Sequence, residues 1–91
     1  MIVTVEYWTQ LNRAAGISSE TVAFPEDCLT LAELLRRLAD RHGPGFRALV
    51  LDEQQQPRRI CLAFIPTGRL LPTDSIPTGQ TVSLLYPMAG G

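Results

Sequence analysis

Two glycines carry most of the chemistry this sequence offers. Gly90 and Gly91 follow Pro87-Met88-Ala89 at the end of the sequence. Without a Cβ they fit a narrow channel and accept backbone angles closed to other residues. Pro87 has no N–H and ends a strand ladder. Extended, the five residues 87–91 reach roughly 17 Å. A partner enzyme could draw the Gly91 carboxylate into a buried site. A carboxylate is a poor electrophile, so its chemistry needs activation, most simply as an acyl-adenylate made from ATP. A sulfur donor can then displace AMP and leave a thiocarboxylate, whose sulfur is a good nucleophile. Such a carrier needs no catalytic side chain of its own, and the sequence shows no triad, metal-ligand cluster or phosphate loop.

The remaining reactive side chains read as structural. Cys28 and Cys61 are far apart, with no CxxC and no histidine cluster, and fit two reduced thiols near a core. His42 falls at a helix end, where it favours the dipole. Asp52-Glu53 sits in a polar turn and reads as solvated. Arg36, Arg37 and Arg41 form a wet helix face. No metal and no bound cofactor are expected; ATP is consumed only by the activating enzyme.

Ninety-one residues make a single domain. Forty-five per cent are hydrophobic, enough for a core. Eight basic and nine acidic side chains nearly cancel, which argues against a nucleic-acid binder. The longest apolar run, 60–65, is too short to span a membrane. The first residues alternate like a strand and do not read as a secretory signal. A cytoplasmic protein is expected.

Val3, Val5 and Tyr7 alternate with polar residues as a strand. The stretch 12–19 reads as a turn, and Thr21, Val22 and Phe24 as a second strand ended by Pro25. Thr30 and Glu33 have capping-box spacing. Leu31, Leu34, Leu35 and Leu38 then form one apolar stripe of a helix, which Gly43-Pro44 ends. Residues 48–51 read as a third strand, 52–57 as a turn, and 60–65 as a strand buried on both faces or at the sheet centre. A turn at 66–68, a short edge strand at 69–71 and a loop with a helical turn near 73–76 follow. Val82, Leu84 and Tyr86 mark the last strand. The order β-β-α-β-β-β predicts an α+β roll, with a mixed sheet of four to five strands on one main helix. The folded domain is expected over 1–86, with a flexible Gly-Gly tail over 87–91.

Three segments carry a resemblance. Tyr7-Trp8-Thr9-Gln10-Leu11 with Gly16, the helix from Thr30, and the closing run Leu84-Leu85-Tyr86-Pro87-Met88-Ala89-Gly90-Gly91 resemble the MoaD/ThiS family of β-grasp sulfur carriers. Within it they are most similar to molybdopterin synthase small subunits. The resemblance covers the whole chain, though Gln80 stands where the family has aspartate and Tyr86 where it has its first tail proline. It implies a ubiquitin-like β-grasp fold and a thiocarboxylate at Gly91, next to Gly90. It also implies three partners: an adenylating enzyme of the ubiquitin-activating type, a sulfurtransferase relay, and the molybdopterin synthase large subunit, which the tail enters. Relatives serving thiamin, tungsten cofactor, cysteine or secondary metabolites share the same tail, and so does a ubiquitin-like protein modifier.

The first and last strands of a β-grasp sheet lie side by side and parallel. Trp8 is out of phase with Val3, Val5 and Tyr7, and Leu85 with Val82 and Leu84, so both should face away from the helix. Unless the following loop covers them, they make a docking patch beside the tail. Trp8, Leu85, Tyr86, Pro87, Met88 and Ala89 are therefore the expected partner-binding residues.

Overall fold

The computed structural model describes residues 1–87. Met88, Ala89, Gly90 and Gly91 lie outside the described residues, so of the expected 87–91 tail only Pro87 is placed. Eight elements follow one another: β1 (Ile2–Thr9), α1 (Gln10–Ala15), β2 (Ser19–Ala23), α2 (Leu31–His42), α3 (Pro44–Val50), β3 (Leu62–Ile65), β4 (Gly68–Leu70) and β5 (Thr81–Tyr86). The five strands form one sheet in the order β2-β1-β5-β3-β4. β1 runs parallel to β5, and every other pairing is antiparallel. This is the mixed sheet that the sequence predicted.

The strand alternation decides which side is filled. Val3, Val5 and Tyr7 of β1, Ala63 of β3 and Val82 and Leu84 of β5 point to one face and are buried. Leu31, Leu34, Leu35, Leu38 and Ala39 of α2 join them in one cluster. The cap of α2 forms as read. Thr30 Oγ1 accepts from the Glu33 amide at 3.2 Å, and Glu33 Oε1 accepts from the Thr30 amide at 2.9 Å. Gly43, at φ +94°, closes the helix with its amide on the Ala39 carbonyl.

Four stretches differ from the sequence reading. Residues 10–15 are a helix, not part of a turn. Thr9 at φ +58° swings the chain out of β1, and Leu11 drops fully buried into the core. One apolar anchor in six residues gives no periodicity to recognise. Residues 48–51 are not a strand. Pro44 opens α3 at its first position, where its missing N–H costs nothing. Phe46 and Val50, four apart, are buried on one face of α3, while Leu51 follows in extended form. The stretch 60–65 is a strand only over Leu62–Ile65; it lies inside the sheet, between β5 and β4, but is not covered on both faces, since Ile60 is 43% and Phe64 36% exposed. All the helical packing lies on the other side. The loop before β5 has no helical turn near 73–76; Ser75 instead bridges to Thr30, and the Asp74 amide bonds the Leu71 carbonyl.

The remaining turns fit their residues. The Asp52 carboxylate accepts from the amides of Gln54 and Gln56 at 2.9 Å each, holding the polar turn as expected. Cys61 is buried, whereas Cys28 is exposed rather than near the core; both are free thiols. Among the described residues no helix is long and apolar enough to cross a membrane.

Candidate functional site

The sheet has one face without helices, and the residues expected there are there. Trp8 and Leu85 are register partners in β1 and β5, and Leu62 of β3 is the next partner of Leu85. Trp8 is 52% exposed. One row of the lattice below, Phe64 adds a further exposed ring beside Ser83. The sheet then turns polar. Ser83 Oγ donates to Glu6 Oε1 at 3.1 Å, and the hydroxyls of Thr4 and Thr21 lie 3.1 Å apart. Trp8, Leu62, Leu85 and Phe64 thus gather toward the end of the face where β5 runs out, while Ile2, 61% exposed, stands alone at the opposite end of β1.

Tyr86 and Pro87 take different places. Tyr86 shares the parity of Val82 and Leu84, and its side chain packs half-buried against the core cluster. The structure therefore separates Tyr86 from the Trp8–Leu85 pair. Pro87 follows β5 directly and is also half-buried. Met88, Ala89, Gly90 and Gly91, expected to carry the chemistry and the remaining contacts, lie outside the described residues.

Where β5 ends, Thr9 holds it. Its hydroxyl accepts from the Tyr86 amide at 3.2 Å and contacts the Tyr86 carbonyl as donor. Thr9 does this at φ +58° and ψ −129°, a region that disfavours a β-branched residue. The strain is local and sits where β1, α1 and the root of the tail meet. Sequence reasoning missed this residue, because nothing in a threonine's neighbours announces a positive φ.

It also missed a polar cluster on the helix side. Tyr7 Oη donates to Glu20 Oε2 at 2.6 Å, Arg41 Nε donates to Glu20 Oε1 at 2.8 Å, and His42 Nε2 meets the same carboxylate. The Glu20 side chain is 9% exposed. The rings of Tyr7, His42 and Phe46 pack edge-on or tilted around it. Desolvation pushes the Glu20 carboxyl up, but the hydrogen bonds from Tyr7, His42 and Arg41 and the charge of His42 outweigh it and hold it below its usual range. Burial, with the Glu20 bond and charge added, raises the Tyr7 phenol well above its ordinary value. Neither shift favours proton transfer near neutrality, so the cluster acts as a brace between β1, β2 and the end of α2. His42 lies at the helix end as expected, with this further role.

The other groups weighed from sequence remain structural. Arg37 pairs with Glu26, and Arg36 Nε donates to the Gln55 carbonyl at 3.0 Å. Burial pushes the Cys61 thiol up to about 12, which makes it unreactive. Among the described residues no group of three or more His, Cys, Asp or Glu is placed to hold a metal ion.

No protein-family model matches the sequence, and no curated protein matches it. Solved structures do. SAMP1 from Haloferax volcanii superposes with a TM-score of 0.86 over 100% of both chains at 16% identity. A Pyrococcus furiosus protein assigned as molybdopterin converting factor subunit 1 gives 0.75 over 97% of this chain and 99% of that one, at 19% identity. A chain of the BexX/CysO complex of Amycolatopsis orientalis gives 0.70 over 98% and 99%, at 22% identity. The fold is the ubiquitin-like β-grasp. The expected resemblance is thus met in the backbone, across a sequence distance at which only the fold is shared evidence. In this β-grasp chain the helix α2 is gripped by one face, leaving Trp8, Leu62, Leu85 and Phe64 on the other. The root of the tail lies at the edge of that exposed apolar area.

Proposed function

We propose that the chain is a sulfur carrier whose Gly91 carboxylate is adenylated and then converted to a thiocarboxylate. It acts as the small subunit of molybdopterin synthase. The observation that carries this reading is the end of β5. A strand inside the β-grasp sheet stops at Tyr86, beside an exposed apolar patch, and passes through Pro87 into Met88-Ala89-Gly90-Gly91. A partner that grips Trp8 and Leu85 would have the tail root within reach. The similarity to a molybdopterin converting factor subunit supports the assignment of the pathway.

The chain supplies the surface and the acyl carbon; chemistry on them comes from partners. An activating enzyme of the ubiquitin-activating type would attach AMP from ATP to the Gly91 carboxylate and release pyrophosphate. A persulfide on a sulfurtransferase relay would displace AMP to give an acyl disulfide, and a second thiol would form a disulfide with the relay cysteine and release the Gly91 thiocarboxylate. The large subunit would receive the thiocarboxylate with its pterin precursor. No bound cofactor is needed by the carrier itself, and a cytoplasmic setting suits these partners.

The test is intact-mass analysis after incubation with ATP, a sulfur source and the activating enzyme from the same genome. The expected result is the mass gain for one oxygen replaced by sulfur, located in the last peptide. An unchanged mass with an enzyme active on another carrier would overturn the reading. A second reading, a protein modifier joined to other proteins through Gly91, is favoured by the fold match to small archaeal modifier protein 1. It predicts conjugate ladders in place of a stable thiocarboxylate.

A further inference from the structure

A second surface lies at the outer edge of the sheet, where Arg69, the register partner of Phe64, also borders the helix-free face. β4 is the outer strand of the sheet, and a groove of about 350 Å³ runs between it, α2 and the loop after α3. Its floor is apolar, built from Leu35 and Leu70 with the buried Cys61. Its rim carries Arg58, Arg59 and Arg69. Leu71, also in the lining, is 51% exposed, and Ile60, next in sequence to Arg59 and Cys61 of the lining, is 43% exposed.

The arginines here differ from those on α2 and α3; Arg13 of α1 likewise has no carboxylate partner among the described residues. Arg37, Arg41 and Arg47 each hold a carboxylate, and Arg36 bonds Gln55 and Gln56. Among the described residues, Arg59 and Arg69 make no ion pair and no side-chain hydrogen bond. Arg58 spends only its Nε, on the carbonyls of Ala48 and Leu51 at 2.9 and 3.0 Å. No acidic residue lines the groove. Asp74, close in sequence to its rim, has its carboxylate on the Leu71 amide at 2.7 Å. In a chain of nearly balanced charge, three cations thus surround an apolar floor with no anion to answer them.

We propose that this groove docks an extended acidic segment of a partner polypeptide, with an aliphatic side chain on the Leu35–Leu70 floor and flanking carboxylates on Arg58, Arg59 and Arg69. Each feature asks for part of that ligand. The floor takes an apolar anchor. The guanidinium forks take carboxylates in paired hydrogen bonds. The outer edge of β4 offers backbone groups to a strand-like peptide. Rim charges of this kind set the encounter rate and the choice of partner, and their effect falls with salt. The inference does not depend on what happens at Gly91.

The experiment uses the whole chain, isotopically labelled for NMR. It is titrated with a blocked hexapeptide of sequence Glu-Asp-Leu-Val-Asp-Glu and with its counterpart carrying lysine at every acidic position. Amide shifts should gather at 58–61 and 69–71 with the acidic peptide only. They should weaken by about tenfold or more in the exposed double variant Arg59→Glu, Arg69→Glu, whose unperturbed spectrum elsewhere confirms its fold. Shifts centred on Trp8 and Leu85, equal binding of the lysine peptide, or no shifts at millimolar peptide would each overturn the proposal. So would the same shifts from inorganic pyrophosphate alone, which would mark the groove as an anion site rather than a peptide site.

Discussion

Trp8 and Leu85 stand side by side as register partners in neighbouring parallel strands, on the face of the sheet that no helix covers. Truncating Trp8 should therefore leave the monomer nearly intact. Leu35→Ala, at a position 1% exposed, should cost about 2–5 kcal/mol of stability. Trp8→Ala should cost far less. In complex with the large subunit the order should reverse. An aromatic anchor typically costs about 2 kcal/mol or more on truncation, so Trp8→Ala should weaken binding by roughly 30-fold. Thermal melts and titration calorimetry on both variants check this. A Trp8→Ala protein that melts like the core variant and binds unchanged would refute it.

Gly91→Val should block adenylation or sulfur transfer without changing the melting temperature. Valine adds a β-branched side chain where a narrow channel has to pass. The buried core residues run in sequence from Val3 to Leu84, and none of them is changed. Normal thiocarboxylate formation by the variant would remove the case for a channel that admits only glycine.

Glu20 should make stability depend on acid pH. Its folded carboxyl titrates below its usual value of 4.5, so folding releases its proton more readily than unfolding does. The stabilisation is present above the unfolded value and is lost as pH falls through the folded one. Glu20→Gln should cost about 1–3 kcal/mol at neutral pH, from hydrogen bonds to a charged group. The gap between variant and parent should narrow as pH drops below 4.5. Denaturant melts across that range measure it; a constant gap would show that the charge does not matter.

Thr9 combines an unfavourable backbone with a useful hydroxyl. Thr9→Val keeps the β-branch at φ +58° and loses both bonds to Tyr86, so it should destabilise by about 1–3 kcal/mol. Thr9→Gly loses the same bonds but relieves the strain, and should recover about 1 kcal/mol of that. Hydrogen exchange at the Tyr86 amide should speed up in both. Protection unchanged in Thr9→Val would show that the hydroxyl does not hold β5.

What the sequence made legible was what repeats or caps. The period-two pattern of Val3, Val5 and Tyr7 and the leucine stripe behind Thr30 each state a direction and a partner face. Together with the parallel first and last strands that the β-grasp resemblance implies, the alternation puts Trp8 and Leu85 side by side on one face. Phe46 and Val50 share a face only once Pro44 is seen to begin a helix, and an apolar run of four residues fits a strand equally well. Leu11 has no apolar partner in its own segment, so its burial is decided entirely by the turn at Thr9. The Glu20 brace joins residues from β1, β2 and α2, and its members follow no spacing. The three rim arginines come from separate segments too, and only the fold shows which arginines already have a partner.

The pairing of β1 with β5 also orders events in time. Thr9 and Tyr86 bond across a separation of 77 residues, so β1 emerges from the ribosome long before the strand that completes its central pairing. Contacts of such range are paid late in folding, after the intervening chain has been organised. Until then Trp8 has no Leu85 beside it, and the tail has no fixed root. A truncated or unfolded chain can display neither in the right relation. A partner that grips both would thus engage only finished molecules, and the recognised surface would serve as the chain's certificate of folding.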